Sequence, residues 1–211
     1  MIVALDTDRD VAISVDEITN QERMYNSRSS RYRCLFCGEV MKFHGRSESH
    51  HDSFQHRDHE DPCVADGNSS TTHRVGQELV AKRIYNLLPA KSGLDDIDLE
   101  RRIGDASDFV VVDLLSKPVG VTVEIIYKNS DISLKRRLQT LFDEGYAVMM
   151  MVVTTSHLSP DQLENHLNQV GSVTVGRIDL TTLQMTLGSL IRPETIDIDA
   201  PVWDALPNYL S

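Results

Sequence analysis

Residues 108–127 read DFVVVDLLSKPVGVTVEIIY, and this stretch decides the fold of the chain. Two apolar, β-prone runs flank the turn sequence Lys117-Pro118-Val119-Gly120, which predicts a pair of strands. The second run, up to Tyr127, is apolar at nearly every position, as in a strand that is buried on both faces. Glu124 lies inside this run, and a buried carboxylate requires a partner, a metal or a raised pKa.

The neighbouring sequence extends this pair of strands into a larger α/β domain. Upstream, residues 75–88 carry apolar side chains at helical spacing before Pro89, and 97–99 form a short β run. Downstream, the expected elements are a helix over 132–142, a strand over 147–153, a helix after Ser159-Pro160, and strands over 173–180 and 183–187. This order predicts an α/β domain with a mixed sheet.

The N-terminal part has a different character. Apolar runs at 2–5 and 11–15 predict a β-hairpin, and 20–33 is a polar, Arg-rich loop. Residues 34–73 contain six of the eight histidines and all three cysteines but few large apolar side chains. Because burial alone cannot order such a segment, we expect a metal to do so. The predicted domains are a small β-hairpin and zinc-binding module over 1–68 and an α/β domain over 69–211.

Cys34 and Cys37, followed by Gly38, have the spacing of a zinc knuckle, and Cys63 offers a third thiolate. The candidates for the fourth ligand are His44, His50, His51, His56 and His59. We favour His56, with His59 nearly as good. A tetrahedral zinc with these four positions filled leaves none open for catalysis, so its role would be structural. The alternative is a reduced cysteine pair among solvated histidines.

The acids of the second half form a second candidate site. Asp108 and Glu124, with Glu78 on the first predicted helix as a weaker addition, could hold Mg²⁺ or Mn²⁺ for phosphodiester cleavage. Strand alternation places Lys128 on the same face as Glu124, where a cation would help. The alternatives are a structural salt bridge from Glu124 to Arg101, Arg102 or Lys82, and a strand-entry cap or an ordinary surface acid at Asp108.

The net charge of −11 is unfavourable for non-specific binding to a polyanion, so any nucleic-acid site must be local. A local DNA-binding set could comprise Arg101, Arg102, Lys135, Arg136 and Arg137. The alternative is an ordinary solvated helix face and turn. No phosphate-binding glycine loop occurs, which makes nucleotide-driven motor activity improbable.

The sequence also bears on where in the cell the protein is located. The chain lacks an apolar stretch of about 18 residues and a signal-peptide pattern, and its odd, clustered cysteines do not suit a secreted disulfide scaffold. We therefore expect a cytoplasmic protein with no membrane insertion.

The order of these motifs resembles the competence protein CoiA-like family. The resemblance begins with the hairpin in 1–15, the knuckle in 32–38, and Phe54-Gln55-His56 before Cys63. It continues through 78–82, the stretch 102–108, and Glu124 with the Asn129-Ser130 and Arg136-Arg137 that follow. The match covers about residues 1–155.

The resemblance implies a PD-(D/E)xK (restriction-endonuclease-like) domain behind the zinc module, acting in DNA uptake or recombination with proteins of those processes. It implies Asp108 and Glu124 as the two acidic metal ligands and Glu78 as the helix acid. The family's third element, a Gln or Lys, falls on Ile126, so Lys128 or Lys82 would have to supply the cation. Two functions follow: a Mg²⁺-dependent DNA nuclease, or an inactive nuclease-like module that binds DNA or a partner protein.

Overall fold

A computed structural model describes residues 1–25, 30–45, 52–57, 63, 70–88, 96–127, 134–154, 159–200 and 203. The chain divides into two compact units, Met1–Ile97 and Asp98–Ser211. Each unit is built around its own β-sheet. The protein is therefore a mixed α/β chain with two sheets and four described helices.

The first unit contains a five-stranded antiparallel sheet and two helices. Their bounds are β1 Val3–Asp6, β2 Val11–Ser14, α1 Asn20–Tyr25, β3 Tyr32–Arg33, β4 Val40–His44, β5 Ser53–His56 and α2 Thr71–Leu87. The strand order is β2-β1-β3-β4-β5, so the predicted N-terminal hairpin is confirmed and lies at one edge.

Aromatic packing holds the short strands of this sheet together. The buried rings of Tyr32 and Phe54 meet edge to face with centroids 5.2 Å apart, and Phe43 meets Phe54 in the same way at 5.7 Å. Such pairs add to the free energy gained by burying the rings. Helix α2 joins the hairpin edge of the sheet, because the Asn86 side-chain amide accepts from the N–H of Ala12 and donates to its carbonyl, each at 2.8 Å.

The second unit contains a six-stranded mixed sheet and two helices. Their bounds are β6 Ile97–Gly104, β7 Phe109–Ser116, β8 Val121–Ile126, α3 Leu134–Asp143, β9 Ala147–Val153, α4 Pro160–Leu167, β10 Gly176–Asp179 and β11 Gln184–Thr186. The order is β11-β10-β9-β8-β7-β6. Strands β8, β9 and β10 are parallel neighbours, whereas β7 and β11 run antiparallel to theirs.

The crossover helices of this unit pack on one face of the sheet. Leu138 and Leu141 of α3 are fully buried against β-strand residues such as Val112 and Met150. Trp203, the only tryptophan of the chain, is 4% exposed and belongs to the same cluster. The predicted mixed sheet is thus confirmed, and the apolar run 147–153 forms β9 as expected.

Two features differ from the sequence-based expectations. Contacts place the division of the chain at 97/98 rather than 68/69, because α2 packs on β1 and β2 of the first sheet. The segment 34–73 also contains regular structure that its composition did not predict. Strands β4 and β5 place Met41, Phe43 and Phe54 in a buried core. Among the described helices, none combines the length and apolar character needed to cross a membrane.

Candidate metal and carboxylate sites

A cluster of three cysteines and one histidine lies in the first unit. The side-chain ligand atoms of Cys34, Cys37, His56 and Cys63 all lie within 4.8 Å of one another. Two contacts define the cluster: Cys34 Sγ is 3.7 Å from Cys63 Sγ, and Cys37 Sγ is 3.3 Å from His56 Nε2. These are the four residues that the spacing favoured, and together they could hold one metal ion.

Local backbone structure brings the two knuckle cysteines together. Cys34 follows β3, and a tight turn returns the chain so that the Gly38 N–H donates to the Cys34 carbonyl at 3.0 Å. Gly38 has a φ of 75°, which a residue with a side chain rarely adopts. The Arg33 guanidinium donates to the Gly38 carbonyl at 2.8 Å and fixes the same turn. His56 ends β5, whose pairing with β4 places it beside the knuckle.

Two thiols of the cluster, those of Cys34 and Cys37, have raised pKa values. The Sγ contact with Cys63 and burial both raise the pKa of Cys34, and burial raises the pKa of Cys37. Three thiolates could not share so small a space, because like charges repel strongly at low dielectric. A bound dication would remove this repulsion, since thiolates are the form in which cysteine binds metals.

A pair of acids lies in the second unit where β7 and β8 diverge. The regular pairing runs from Ser116↔Val121 to Leu114↔Val123. The next residues on the two strands are Asp113 and Glu124. Here the backbone N–H of Ile125 donates to Asp113 Oδ2 at 2.6 Å. The Asp113 side chain is thus an acceptor for the Ile125 N–H, and Asp113 lies next to Glu124.

Glu124 is 7% exposed, and only one of its two oxygens is hydrogen bonded to a described residue. Oε2 accepts from the Arg137 guanidinium of α3 at 2.5 Å, whereas Oε1 is buried without a hydrogen-bond partner. Burial raises the pKa of Glu124 to about 8; the neighbouring Asp113 raises it too, and Arg137 opposes both effects. Burial is therefore the main cause of the raised pKa, and Arg137 is a favourable partner for the ionised form of Glu124.

The structure does not bring Asp108 into this pair. Asp108 precedes β7, its side chain is 64% exposed, and it forms an ion pair with Arg136. Asp113 lies five positions further along the chain, and five residues of extended strand span about 16 Å. The expectation that Asp108 and Glu124 form one site is thus replaced by an Asp113–Glu124 pair.

Glu78 belongs to the first unit and has a structural partner. Its Oε2 accepts from the backbone N–H groups of Ile2 and Val3, at 2.5 and 3.2 Å, and so anchors β1 to α2. Burial raises its pKa. Arg74 Nε lies 3.9 Å from Oε1, which is too far for a hydrogen bond. The described contacts give Glu78 no place in the Asp113–Glu124 pair.

Lys82 and Lys128 are the two lysines predicted to supply a cation beside Glu124. Lys82 lies in the first unit, where it donates to Ser14 Oγ at 2.7 Å and pairs with Glu17. Lys128 lies outside the described residues. Ile126, at the position of the family's third element, packs against the core of the second unit.

The proposed basic set is divided rather than continuous. Arg101 and Arg102 are exposed on β6, and the Arg102 guanidinium stacks over the Phe109 ring at 3.4 Å. Lys135 is partly exposed at the start of α3. Arg136 pairs with the surface acid Asp108, as described above, and only Arg137 reaches the buried acids. The structural salt bridge predicted as an alternative at Glu124 thus exists, but its partner is Arg137.

Asp113 and Arg137 are the functional candidates whose roles sequence reasoning missed. Asp113 was hidden because the run 109–115 reads as one apolar strand. The signal was present in the turn: if 117–120 closes the hairpin, 116 pairs with 121 and 113 falls beside 124. Arg137 could not be found in this way, since its place depends on how α3 crosses the sheet.

Comparisons with known proteins assign no family to the chain. The chain gives no significant match to any protein-family model, to any curated protein or to any solved structure.

Proposed function

We propose that the protein is a metal-dependent DNA nuclease that hydrolyses phosphodiester bonds in DNA processing, uptake or recombination. One observation carries the proposal: two adjacent carboxylates, Asp113 and Glu124, lie where two strands diverge, and a buried oxygen of Glu124 has no hydrogen-bond partner in the part of the chain that the structure describes. Carboxylate oxygens are the ligands that Mg²⁺ and Mn²⁺ prefer. An unsatisfied buried oxygen is costly, so the site is better satisfied with a cation present than without one.

Each residue of the site has a role in this proposal. Asp113 and Glu124 would hold the divalent cation, and the Ile125 N–H keeps the Asp113 carboxylate turned toward the gap between the strands. A cation held there would neutralise phosphodiester charge and lower the pKa of a bound water. Among the described residues, Arg137 is the cation that pairs with Glu124. An arginine cannot act as a base near neutral pH, but it can bind phosphate oxygens in pairs.

The resemblance to the CoiA-like family supports the same proposal, with one change. The glutamate that the family's pattern places in the second strand is Glu124, and we assign the aspartate role to Asp113 instead of Asp108. A PD-(D/E)xK fold and a competence or recombination role follow from this resemblance. The mixed sheet of the second unit, with an antiparallel hairpin beside parallel strands, agrees with an α/β nuclease domain.

We also propose that the cysteine and histidine cluster binds a structural zinc ion. With Zn–S distances of about 2.3 Å and a Zn–N distance of about 2.0 Å, tetrahedral geometry places two sulfurs about 3.8 Å apart and a sulfur and a nitrogen about 3.5 Å apart. The Cys34–Cys63 and Cys37–His56 separations are 3.7 and 3.3 Å. The donor set and its spacing therefore fit zinc, and all four tetrahedral positions are filled by protein.

A second candidate function is an inactive nuclease-like module that holds DNA or a partner protein. The ion pair between Arg137 and Glu124 favours it, because a satisfied salt bridge can be purely structural. Ile126 favours it as well, since an apolar side chain cannot orient water. This candidate predicts DNA binding that persists without any cleavage.

The test is cleavage of labelled single-stranded, duplex and forked DNA with Mg²⁺, Mn²⁺ or EDTA. We expect metal-dependent cutting that falls by at least about 100-fold in Asp113→Asn and Glu124→Gln, the order found when one electrostatic contact to a transition state is removed. Asp108→Asn decides between the two aspartates, and we expect it to cut nearly as well as wild type. Binding without cutting in every condition would support the inactive module instead.

The zinc proposal has its own test. Metal analysis of the purified protein should give about one zinc per chain. We expect Cys34→Ser and Cys63→Ser to lose this zinc. His44→Ala is the matched control, because His44 is exposed at the end of β4 and outside the cluster. Zinc retained in both cysteine variants would refute the assignment.

A further inference from the structure

Arg137 has an unusual position for an arginine on a surface helix. Its side chain is 14% exposed, and the guanidinium donates to Glu124 Oε2 and to the backbone carbonyl of Val111, both at 2.5 Å. It thereby bridges the two strands that carry Asp113 and Glu124. Arg136, the preceding residue on the helix, is 64% exposed and forms an ion pair with the surface acid Asp108.

The guanidinium occupies the place where a cation is needed. Two acids meet in a buried setting, and Arg137 is the cation that lowers the pKa of Glu124. A dication bound to the same acids would repel the guanidinium, because like charges at this separation interact strongly in a buried site. The dication would also withdraw electron density from the carboxylate that the guanidinium needs as its acceptor. The carbonyl of Val111 would then remain as a tether close to the site.

We infer that Arg137 is a stand-in for the metal, and that it becomes a phosphate-binding residue when a divalent cation takes over Glu124. The inference rests on the proposed function and deepens it by naming the residue that contacts the substrate phosphate. A released guanidinium beside a metal-bound DNA phosphate has its preferred acceptor within reach, since arginine forms paired, charge-assisted hydrogen bonds to phosphate. Arg137 should therefore contribute to DNA affinity only when the divalent cation is present.

The experiment measures DNA binding by fluorescence anisotropy, in EDTA and in Ca²⁺ at equal ionic strength. Ca²⁺ is the probe because it takes oxygen ligands, and gel electrophoresis confirms that the oligonucleotide stays intact. The variants are Arg137→Gln, Arg137→Lys, and Arg136→Gln as the matched control on the same helix. The fluorescence of Trp203, which lies in the core of the second unit, verifies that each variant is folded.

We expect Arg137→Gln to weaken DNA binding about 10-fold or more in Ca²⁺, the order of one lost charge-assisted hydrogen bond, and to leave it within about twofold in EDTA. Arg137→Lys keeps the charge and should recover part of the Ca²⁺-dependent affinity. For Arg136→Gln any change should be the same in both conditions.

Three results would overturn the inference. They are equal losses for Arg137→Gln in EDTA and Ca²⁺, no loss in either, and no DNA binding by wild-type protein in Ca²⁺. The proposed function can fail separately: a protein that never cuts DNA with Mg²⁺ is not a nuclease, whatever the binding of the variants shows. Conversely, an active nuclease whose affinity ignores Arg137 would refute only this inference.

Discussion

The raised pKa of Glu124 makes the stability of the second unit depend on pH. In the folded protein burial raises the pKa of this carboxyl to about 8 from its ordinary value of 4.5. Between these values the folded state binds a proton that the unfolded chain has released, so the free energy of unfolding falls as the pH rises. Above about pH 8 both states are ionised at this position, and the dependence ends.

The size of this effect follows from the two pKa values. A change of one in pKa corresponds to about 1.4 kcal/mol, so the free energy of unfolding should fall by about 4 kcal/mol between pH 5 and pH 9 because of Glu124 alone. Glutamine cannot ionise, so Glu124→Gln should lack this part of the pH dependence. The comparison is of slopes, because the substitution also changes the contact with Arg137 and thereby shifts the whole curve.

The assay is urea unfolding followed by Trp203 fluorescence, at several pH values without divalent cations. Trp203 is the single tryptophan and lies in the core of the second unit, so it reports on the unit that contains Glu124. The matched control is Glu144→Gln, an exposed acid just after α3. Parallel curves for wild type and Glu124→Gln, as expected for wild type and Glu144→Gln, would refute the account of a buried, destabilised carboxylate.

Three further predictions concern the parts that position the two sites. Gly104→Ala should lower the free energy of unfolding of the second unit, measured in urea, much more than Gly120→Ala does. Both residues have positive φ, but only at position 104 would the new Cβ meet a backbone oxygen, at 2.5 Å. Asp6→Ala should destabilise the first unit by about 2 kcal/mol, because Arg31 loses its charge-assisted hydrogen bonds to the buried Asp6 but keeps the one to Glu22. Asp8→Ala is the control in the same thermal denaturation, and it should matter little because Asp8 is 70% exposed. A strong chelator should lower the melting temperature of the first unit, with recovery on adding zinc; an unchanged melt would contradict a structural metal.

The order of helices and strands in the second unit could be predicted because local signals agree with the final fold. The turn at 117–120 and the apolar run 147–153 fix β7, β8 and β9 by pattern alone. The four ligands of the cysteine cluster were also accessible, because ligand spacing in sequence constrains which residues can reach one ion.

The remaining features depend on contacts between distant parts of the chain. Helix α2 follows the cysteine segment in sequence, and only its bonds to Ala12, Ile2 and Val3 show that it belongs with the first sheet. The aromatic core under the cysteine cluster was missed for a related reason: strands of two to five residues are too short for a periodic signal.

The charge of the protein bears on how DNA could bind at all. At −11 the chain repels a polyanion, and the two arginines of α3 nearest to the proposed site are already paired, Arg136 with Asp108 and Arg137 with Glu124. A basic patch is therefore a poor explanation for affinity at this site. A divalent cation changes the balance twice, since it neutralises the Asp113–Glu124 pair and releases a guanidinium for phosphate. DNA affinity at this site should consequently rise with the concentration of divalent cation under conditions where monovalent salt lowers it, and that opposition separates a metal-centred site from simple electrostatic attraction.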